Sequence, residues 1–383
     1  MVTTVPSTLK AFLLPLAMHF RAKGWHVEAA ASGLEEHSDL RSCFDELHSV
    51  SFARSFRHPL ALLQSVREME RLCRRKKYSV VHVHTPIAAF LTRFALRRLR
   101  AEIGVKVIYT AHGFHFFKGA NALAWLLYGF AERLAGQWTD RLVVINAEDY
   151  DRSIRWRIVS KDRIIPMPGI GVDPGVYSKF LRSGPRSSAL RHELGAMGQF
   201  LILMIAEFSG RKRQSDLVKA LALIKDPSIS VLFVGDGRER VATERLVADL
   251  GVGAQFRFLG YRSDVPELLG ASDLLVLPSL QEGLPRCVLE AMAANVPVVG
   301  SDIRGTRDLL SDGRGWLYKV GDVSALANAI SDVRSNPKGA AQRIANADRA
   351  VCEQYALKQV IAAHDFLYEG ALANAEARAS AQT

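Results

Sequence analysis

Short apolar runs alternate with helical patterns along both halves of the chain. In the first half, the runs at 26–31, 47–52, 80–83, 106–110, 141–145 and 164–167 predict strands. In the second half they fall at 200–205, 230–234, 255–259, 274–277, 297–300 and 315–318. The run at 274–277, Leu-Leu-Val-Leu, has no polar alternation, which suits a strand buried on both faces. Strands that alternate with helices predict parallel sheets covered on both sides. The periodicity breaks between 168 and 188, where Gly169, Gly171, Pro174, Gly184 and Pro185 accumulate. The expected organisation is one domain over 1–180, a second over 181–352, a last helix over 353–372 and a small polar tail over 373–383. No tandem repeat is visible.

Composition sharpens this picture. A chain of 383 residues exceeds one ordinary core and suits two α/β domains. Its 49% apolar and 23% charged residues are those of a globular protein. Cys43, Cys73, Cys287 and Cys352 are scattered without Cys-x-x-Cys spacing and read as buried thiols of a reducing compartment. No apolar stretch reaches the roughly 18 residues of a membrane span. Pro6 and Lys10 interrupt the apolar residues at the N-terminus, so a signal peptide is not expected and a cytoplasmic setting is.

Charge is unevenly placed. Residues 1–180 hold 26 Lys and Arg against 16 Asp and Glu, a balance of +10, whereas the remainder is nearly neutral. The excess gathers in Arg71, Arg74, Arg75, Lys76 and Lys77 and in Arg93, Arg97, Arg98, Arg100 and Lys106. A solvated helix face accounts for such clusters, and so does attraction to an anionic leaflet, where each basic residue contributes about 1 kcal/mol. Nucleic-acid binding is disfavoured, because interleaved aromatics and a known module are both missing. The segment 122–130, Ala-Leu-Ala-Trp-Leu-Leu-Tyr-Gly-Phe, reads as core helix in preference to membrane contact. Peripheral attachment to an anionic membrane through the basic half is nonetheless the expectation.

The stretch 273–290 carries the most chemistry. A buried strand ends at Pro278-Ser279, and a helical pattern starts near Pro285 with Cys287, Val288, Ala291 and Met292 on one face. Glu282 then stands in the loop at the carboxyl end of a parallel strand, where open α/β sheets bind ligands, and Glu290 stands two turns along the helix. Such carboxylates can hold different hydroxyls of one sugar nucleotide, or merely cap a turn and face solvent. The pattern Glu282-Gly-Leu-Pro-x4-Glu290, followed by Ala291-Met292-Ala293, Pro297-Val298-Val299 and Gly305, resembles the retaining glycosyltransferases of family four. The resemblance runs from about residue 2 to 370. It implies the GT-B architecture: two Rossmann-like α/β domains facing a cleft, with a C-terminal helix crossing back to the first.

By this resemblance, Glu290 would hold the ribose hydroxyls and Glu282 the donor hexose. Amides at Gly283 and Leu284 would meet phosphate oxygens at the helix start. In Ala206-Glu-Phe-Ser-Gly-Arg-Lys-Arg, Lys212 matches the family's diphosphate-binding lysine. Glu207 stands where an arginine is usual, so Arg211 or Arg213 would take that role. Val234-Gly235-Asp236-Gly237 resembles the family's Gly-x-Gly turn, and Gly260 with Tyr261 would lie beside the nucleobase of a UDP- or GDP-sugar. In Thr110-Ala-His112-Gly113, His112 would hydrogen-bond the donor sugar or stabilise developing charge. The run Phe114, His115, Phe116, Phe117 and Lys118 reads as acceptor wall, membrane-facing loop or plain packing.

The resemblance also implies retention of configuration, an oxocarbenium-like transition state and no bound metal or other cofactor. That segment and Asn146-x-Glu148-Asp149-Tyr150 are most similar to members that build exopolysaccharide, capsule or lipopolysaccharide on lipid-linked acceptors such as polyprenyl-diphosphate saccharides. Family members open with a full apolar strand, whereas this chain starts near that strand's end, so several residues of it are expected to be missing. Alternatives are a member that binds sugar nucleotides without turnover, and a nucleotide-sugar epimerase. Fold alone does not separate these.

Overall fold

Every strand expected from the sequence forms, with boundaries shifted by at most three residues. The structure, a computed structural model, describes residues 1–52, 59–116, 122–180 and 184–380. Its strands are β1 Glu28–Ala31, β2 Glu46–Ser49, β3 Val80–Val83, β4 Lys106–Ala111, β5 Arg141–Val144, β6 Ile164–Pro166, β7 Phe200–Ile205, β8 Ile229–Val234, β9 Phe256–Phe258, β10 Leu274–Leu277, β11 Val298–Ser301 and β12 Trp316–Tyr318. Two compact units emerge: Met1–Ile170 with Val360–Thr383, and Gly171–Gln359.

The second unit is a six-stranded parallel sheet in the order β12-β11-β10-β7-β8-β9. Its unbroken apolar runs have a simple cause, since both faces are covered. Leu275, Leu277 and Val298 pack with Leu289 and Met292 on one side, while Leu274, Val276 and Val299 pack with Leu217 and Ile330 on the other. All are at most 1% exposed, and burial of each such side chain contributes about 1.5–3 kcal/mol. The chain begins this sheet at its centre, builds to one edge, and returns to build towards the other. The reversal lies between β7 and β10, the place in an open α/β sheet where ligands bind.

The first unit repeats the plan. The order β3-β4-β5-β6 is parallel, as is the pair β1-β2. Met1–Thr4 lies between the two sets, with Val2 bridging Ala30 on one side and Val83 on the other. The reversal in this unit therefore falls between Met1–Thr4 and β3. A π-helical turn at Leu9–Leu13 leads into the helix Leu14–Ala22.

The last helix, Leu357–Ser380, extends past its expected end at 372. Its residues Leu367, Tyr368 and Ala371 fill the first unit's core beside Leu13, Phe20 and Val143. Asp365 on it accepts from Lys23 Nζ at 2.9 Å. The two ends of the second unit are joined by backbone bonds, Val172 N–H to Tyr355 O at 3.0 Å and Leu357 N–H to Val172 O at 2.8 Å.

Several expectations are corrected. On the helix Ala122–Gly136, Trp125, Tyr128 and Gly129 pack inward, but Leu123, Leu126, Leu127 and Phe130 are 61–68% exposed. Spacing of three and four residues puts these four on one stripe, so this face is not core. Arg93, counted among the surface cations, is fully buried, pairs with Glu132 at 2.9 Å and lies over the Tyr109 ring. Phe114 and Phe116 are buried and stacked on each other, so they serve packing. Phe117 and Lys118 lie outside the described residues. Of the cysteines only Cys73 is buried, and Cys352 is exposed. Among the described residues, no helix is long and apolar enough to cross a membrane.

Candidate active site

In the second unit the expected donor-binding residues gather at the carboxyl edge of the sheet, around the reversal between β7 and β10. The loop after β7 carries Glu207, Arg211 and Lys212, and the loop after β10 carries Glu282, Gly283 and Leu284. A backbone bond ties them, Leu280 N–H to Arg211 O at 2.7 Å. Across the same join, Lys212 Nζ donates to Glu282 Oε1 at 2.5 Å, with both side chains mostly buried. Seventy residues of sequence separate this ion pair, and the strand order alone brings it together.

The neighbouring loops close in backbone against backbone. Gly235 has φ +130°, and a Cβ there would lie 2.1 Å from the Ala206 carbonyl oxygen. Its N–H donates to Gly260 O at 2.8 Å, so the loops after β7, β8 and β9 form one wall. Tyr261, next to Gly260, is 86% exposed. On the other side Gly305 (φ +74°) would place a Cβ 2.1 Å from Gly283 O. Only glycine fits at either position.

Glu290 lies in the helix Arg286–Ala293 and is buried. Arg286 Nε donates to its Oε1 at 2.8 Å. The Tyr177 phenol beside it is held well above its ordinary range by burial and then by the Glu290 charge. Arg304, itself buried, donates Nε to the Glu282 carbonyl oxygen at 3.0 Å and fixes that loop. The site therefore alternates charge: carboxylates at Glu282 and Glu290, each faced by a cation.

The departure at Glu207 has a clear geometry. Its side chain is 64% exposed and 4.0 Å from Arg211, itself 59% exposed. Arg213 is occupied, donating from Nε and Nη2 to the Asp216 carboxylate at 2.6 and 2.9 Å. Of the two arginines expected to replace the usual one, Arg211 is the more available. Ser209, Ser279 and Thr306, at this same edge, bury hydroxyls that have no hydrogen-bond partner among the described residues.

In the first unit His112 directly follows β4, at the carboxyl edge. Phe12, from the π-helical turn, stacks on its ring with centroids 5.5 Å apart. Asp149 accepts from the Phe114 amide at 3.1 Å and ties the His112 loop to the turn after β5. His84 follows β3, and its Nδ1 lies 3.3 Å from His112 Nε2. At the reversal of this sheet Thr4 and Thr85 share a 2.7 Å hydroxyl bond. Burial pushes the His112 imidazole down to about 4 and that of His84 well below its ordinary value.

The expected residues thus fall into two groups, one in each unit. Four further residues escaped the sequence reading. Arg286 could have been found from its four-residue spacing to Glu290, and Arg304 from its place before Gly305. His84 stands out only as the second histidine of His82-Val-His84, and Tyr177 has no local signal. One other cluster, His26, Glu28 and Glu46, brings potential metal ligands together. Lys76 Nζ already sits 3.1 Å from Glu28 and 2.5 Å from Glu46, so an ammonium supplies the positive charge there.

Comparison with known proteins shows the family. The family described as Glycosyl transferases group 1 matches residues 188–350, and the Glycosyl transferase 4-like domain matches residues 9–169. EpsD of Bacillus subtilis (strain 168), named as a glycosyltransferase, is 36% identical over 88% of this chain and 87% of its own. The UDP-Gal:alpha-D-GlcNAc-diphosphoundecaprenol alpha-1,3-galactosyltransferase of Escherichia coli is 28% identical over 70% of this chain and 69% of its own. Among solved structures, Anabaena Alr3699/HepE in complex with UDP superposes with a TM-score of 0.79, at 19% identity over 96% of this chain and 98% of that one. With one family match on each unit and a relative aligned along most of its length, the chain belongs to the group 1 glycosyltransferases, with their GT-B fold.

Proposed function

We propose that this glycosyltransferase moves a hexosyl or N-acetylhexosaminyl group from a UDP-sugar to a lipid-linked saccharide, with retention, in cell-surface polysaccharide assembly. The observation that carries it is the Lys212–Glu282 pair at the reversal of the second sheet, with Glu290 close by along the chain. Lys212 would turn to the diphosphate and stabilise the charge that develops on the leaving group. Freed of the lysine, Glu282 would accept from hydroxyls of the transferred hexose, and Glu290, held by Arg286, from the ribose. Gly283, Leu284 and Arg211 would meet phosphate oxygens, and Gly260 with Tyr261 the base. His112 would bond an oxygen of the sugar.

In the reaction the bond from the anomeric carbon to the diphosphate oxygen breaks. The acceptor hydroxyl oxygen bonds the same carbon on the same face, and its proton passes to the departing phosphate. No residue here needs to become a covalent nucleophile, and cations of the chain carry the leaving-group charge without a metal. The E. coli relative acts on UDP-Gal and a diphosphoundecaprenol-linked acceptor, and the Anabaena protein binds UDP, which supports both substrate classes.

A lipid-linked acceptor calls for contact with a membrane, and the first unit supports this reading. The exposed stripe Leu123, Leu126, Leu127 and Phe130 leads along its helix to Arg133. Arg133, Arg157, Lys161 and Arg163 line a shallow surface pocket that has no acidic lining residue. Apolar side chains flanked by cations suit the inner, anionic face of a plasma membrane.

Thermal stabilisation by UDP, GDP and ADP and their sugars tests the donor site. Ligand at 100 times its Kd should stabilise by about 2.7 kcal/mol. A shift with UDP that Glu290→Ala weakens is the expected result; no shift with any nucleotide would sink the reading. Glu207 favours one second reading, a binder without turnover, which predicts the UDP shift but no sugar transfer.

A further inference from the structure

His84 is 2% exposed and belongs to a group of histidines on or just after β3, just after β4 and on the last helix. His82 uses both ring nitrogens, with Tyr368 Oη at 2.6 Å and Thr110 Oγ1 at 2.7 Å. His364 Nδ1 bonds the Val360 carbonyl at 2.8 Å. His84 is different. Its Nδ1 faces His112 Nε2 at 3.3 Å, and its Nε2 is buried with no partner among the described residues.

Both rings are neutral near pH 7, because burial disfavours the imidazolium. Each then carries one proton, and the contact between them needs one proton. If His112 donated from Nε2, His84 would hold its own proton on Nε2, as a buried N–H with nothing to receive it. If His84 donates from Nδ1, its Nε2 is only a bare acceptor. Orphaned buried N–H groups are the costlier and rarer defect. The second arrangement is therefore favoured, and it leaves the His112 proton on Nδ1. That atom has no hydrogen-bond partner among the described residues, and Phe12 stacked on the ring restrains its plane.

We propose that His84 is a positioning residue that sets the tautomer of His112, so that His112 meets the transferred sugar as a donor through Nδ1. This rests on the reading of His112 as a residue of the sugar site. It gives a function to a histidine whose Nε2 is orphaned in the core, since that orphaned atom is what decides which ring donates. The device resembles the groups that hydrogen-bond the far nitrogen of metal-bound histidines, where the bond on one nitrogen decides what the other can do.

The first test needs no variant of His84. In protein labelled with 15N-histidine, long-range proton–nitrogen correlation separates the two tautomers, and His112→Ala assigns the His112 signal. The expected pattern is protonation at His112 Nδ1; protonation at Nε2 in the wild type overturns the proposal. Turnover gives the second test. His84→Leu should lower kcat by about 10- to 100-fold with UDP affinity unchanged. His84→Asn, whose amide can donate from nearly the place of Nδ1, should recover most of it. A kcat lowered by His112→Ala but not by His84→Leu also overturns the proposal, as does an Asn variant no better than Leu. If His84→Leu fails to fold, the wild-type spectrum and His84→Asn decide. If His112→Ala leaves kcat unchanged, the sugar-site reading itself fails, a result the tautomer spectrum does not depend on.

Discussion

Lys212 and Glu282 are the residues on which the proposed donor chemistry turns. They neutralise each other at 2.5 Å, and in the proposed reaction substrate would replace each partner. Lys212→Ala is expected to slow transfer by about 100-fold or more, since on the proposed reading it removes the cation that would stabilise developing charge. Steady-state transfer from the UDP-sugar identified by thermal shift checks this. Glu207 offers the opposite experiment. Its side chain is 64% exposed, so Glu207→Arg should leave the fold intact. A guanidinium there, as in the wider family, should tighten UDP binding by about tenfold in titration calorimetry, the scale of one charge-assisted hydrogen bond. Weaker binding would show that the carboxylate contributes to the site as it stands. Gly235→Ala tests the wall behind them: a Cβ 2.1 Å from a backbone oxygen cannot be relieved by a side-chain rotation. It should cost roughly 2–4 kcal/mol in denaturant unfolding and abolish the UDP shift.

The helix Ala122–Gly136 shows what patterning reveals and what it hides. If its stripe meets lipid, replacing Leu126, Leu127 and Phe130 together by Ser should reduce flotation with anionic vesicles by at least about tenfold. The melting temperature should hold within a few degrees, because these side chains support no core. Unchanged flotation would remove this helix from the membrane reading. Strands such as β7 and β10 were legible because burial on both faces leaves unbroken apolar runs. Apolar positions on this helix were equally legible, but which of them face inward was not. Trp125 and Gly129 pack inward because Trp156 covers that side, a contact about thirty residues away in sequence. The candidate donor residues were legible for a related reason. Glu282 and Glu290 share one short motif, whereas Tyr177 and His84 reach their partners across more than 25 residues of chain. Arg93 was misread because a buried guanidinium paired with Glu132 has the same sequence signature as a solvated one.

At the scale of the whole molecule, the first unit is built to fail in acid. His82 and His84 are pushed well below their ordinary range by burial, His364 is lowered by burial too, and His112 falls to about 4. These folded values lie below the unfolded one, so the unfolded chain binds more protons as pH drops. The stability they confer is complete above about 6.5 and is lost as pH falls towards 4. Glu28 adds to this at lower pH. Burial opposes its charge, but hydrogen bonds from Tyr78, His48, His26 and Lys76 outweigh that and hold it near 2. Its share is present above about 4.5 and fades as pH falls from there towards 2. Melting curves between pH 7.5 and 4 should show a steady loss that begins near 6.5; a flat profile down to pH 5 would contradict the neutral-histidine picture.

Because the chain leaves the first unit after Ile170 and returns only at Val360, the order of synthesis and the order of completion differ. Everything the second unit needs lies in one continuous stretch, closed by the bonds between Val172 and Tyr355 to Leu357. It can mature on the ribosome while the earlier unit still waits for Leu367, Tyr368 and Ala371. The half translated first is thus the half finished last, and until the final helix emerges its apolar surfaces depend on chaperones or on speed.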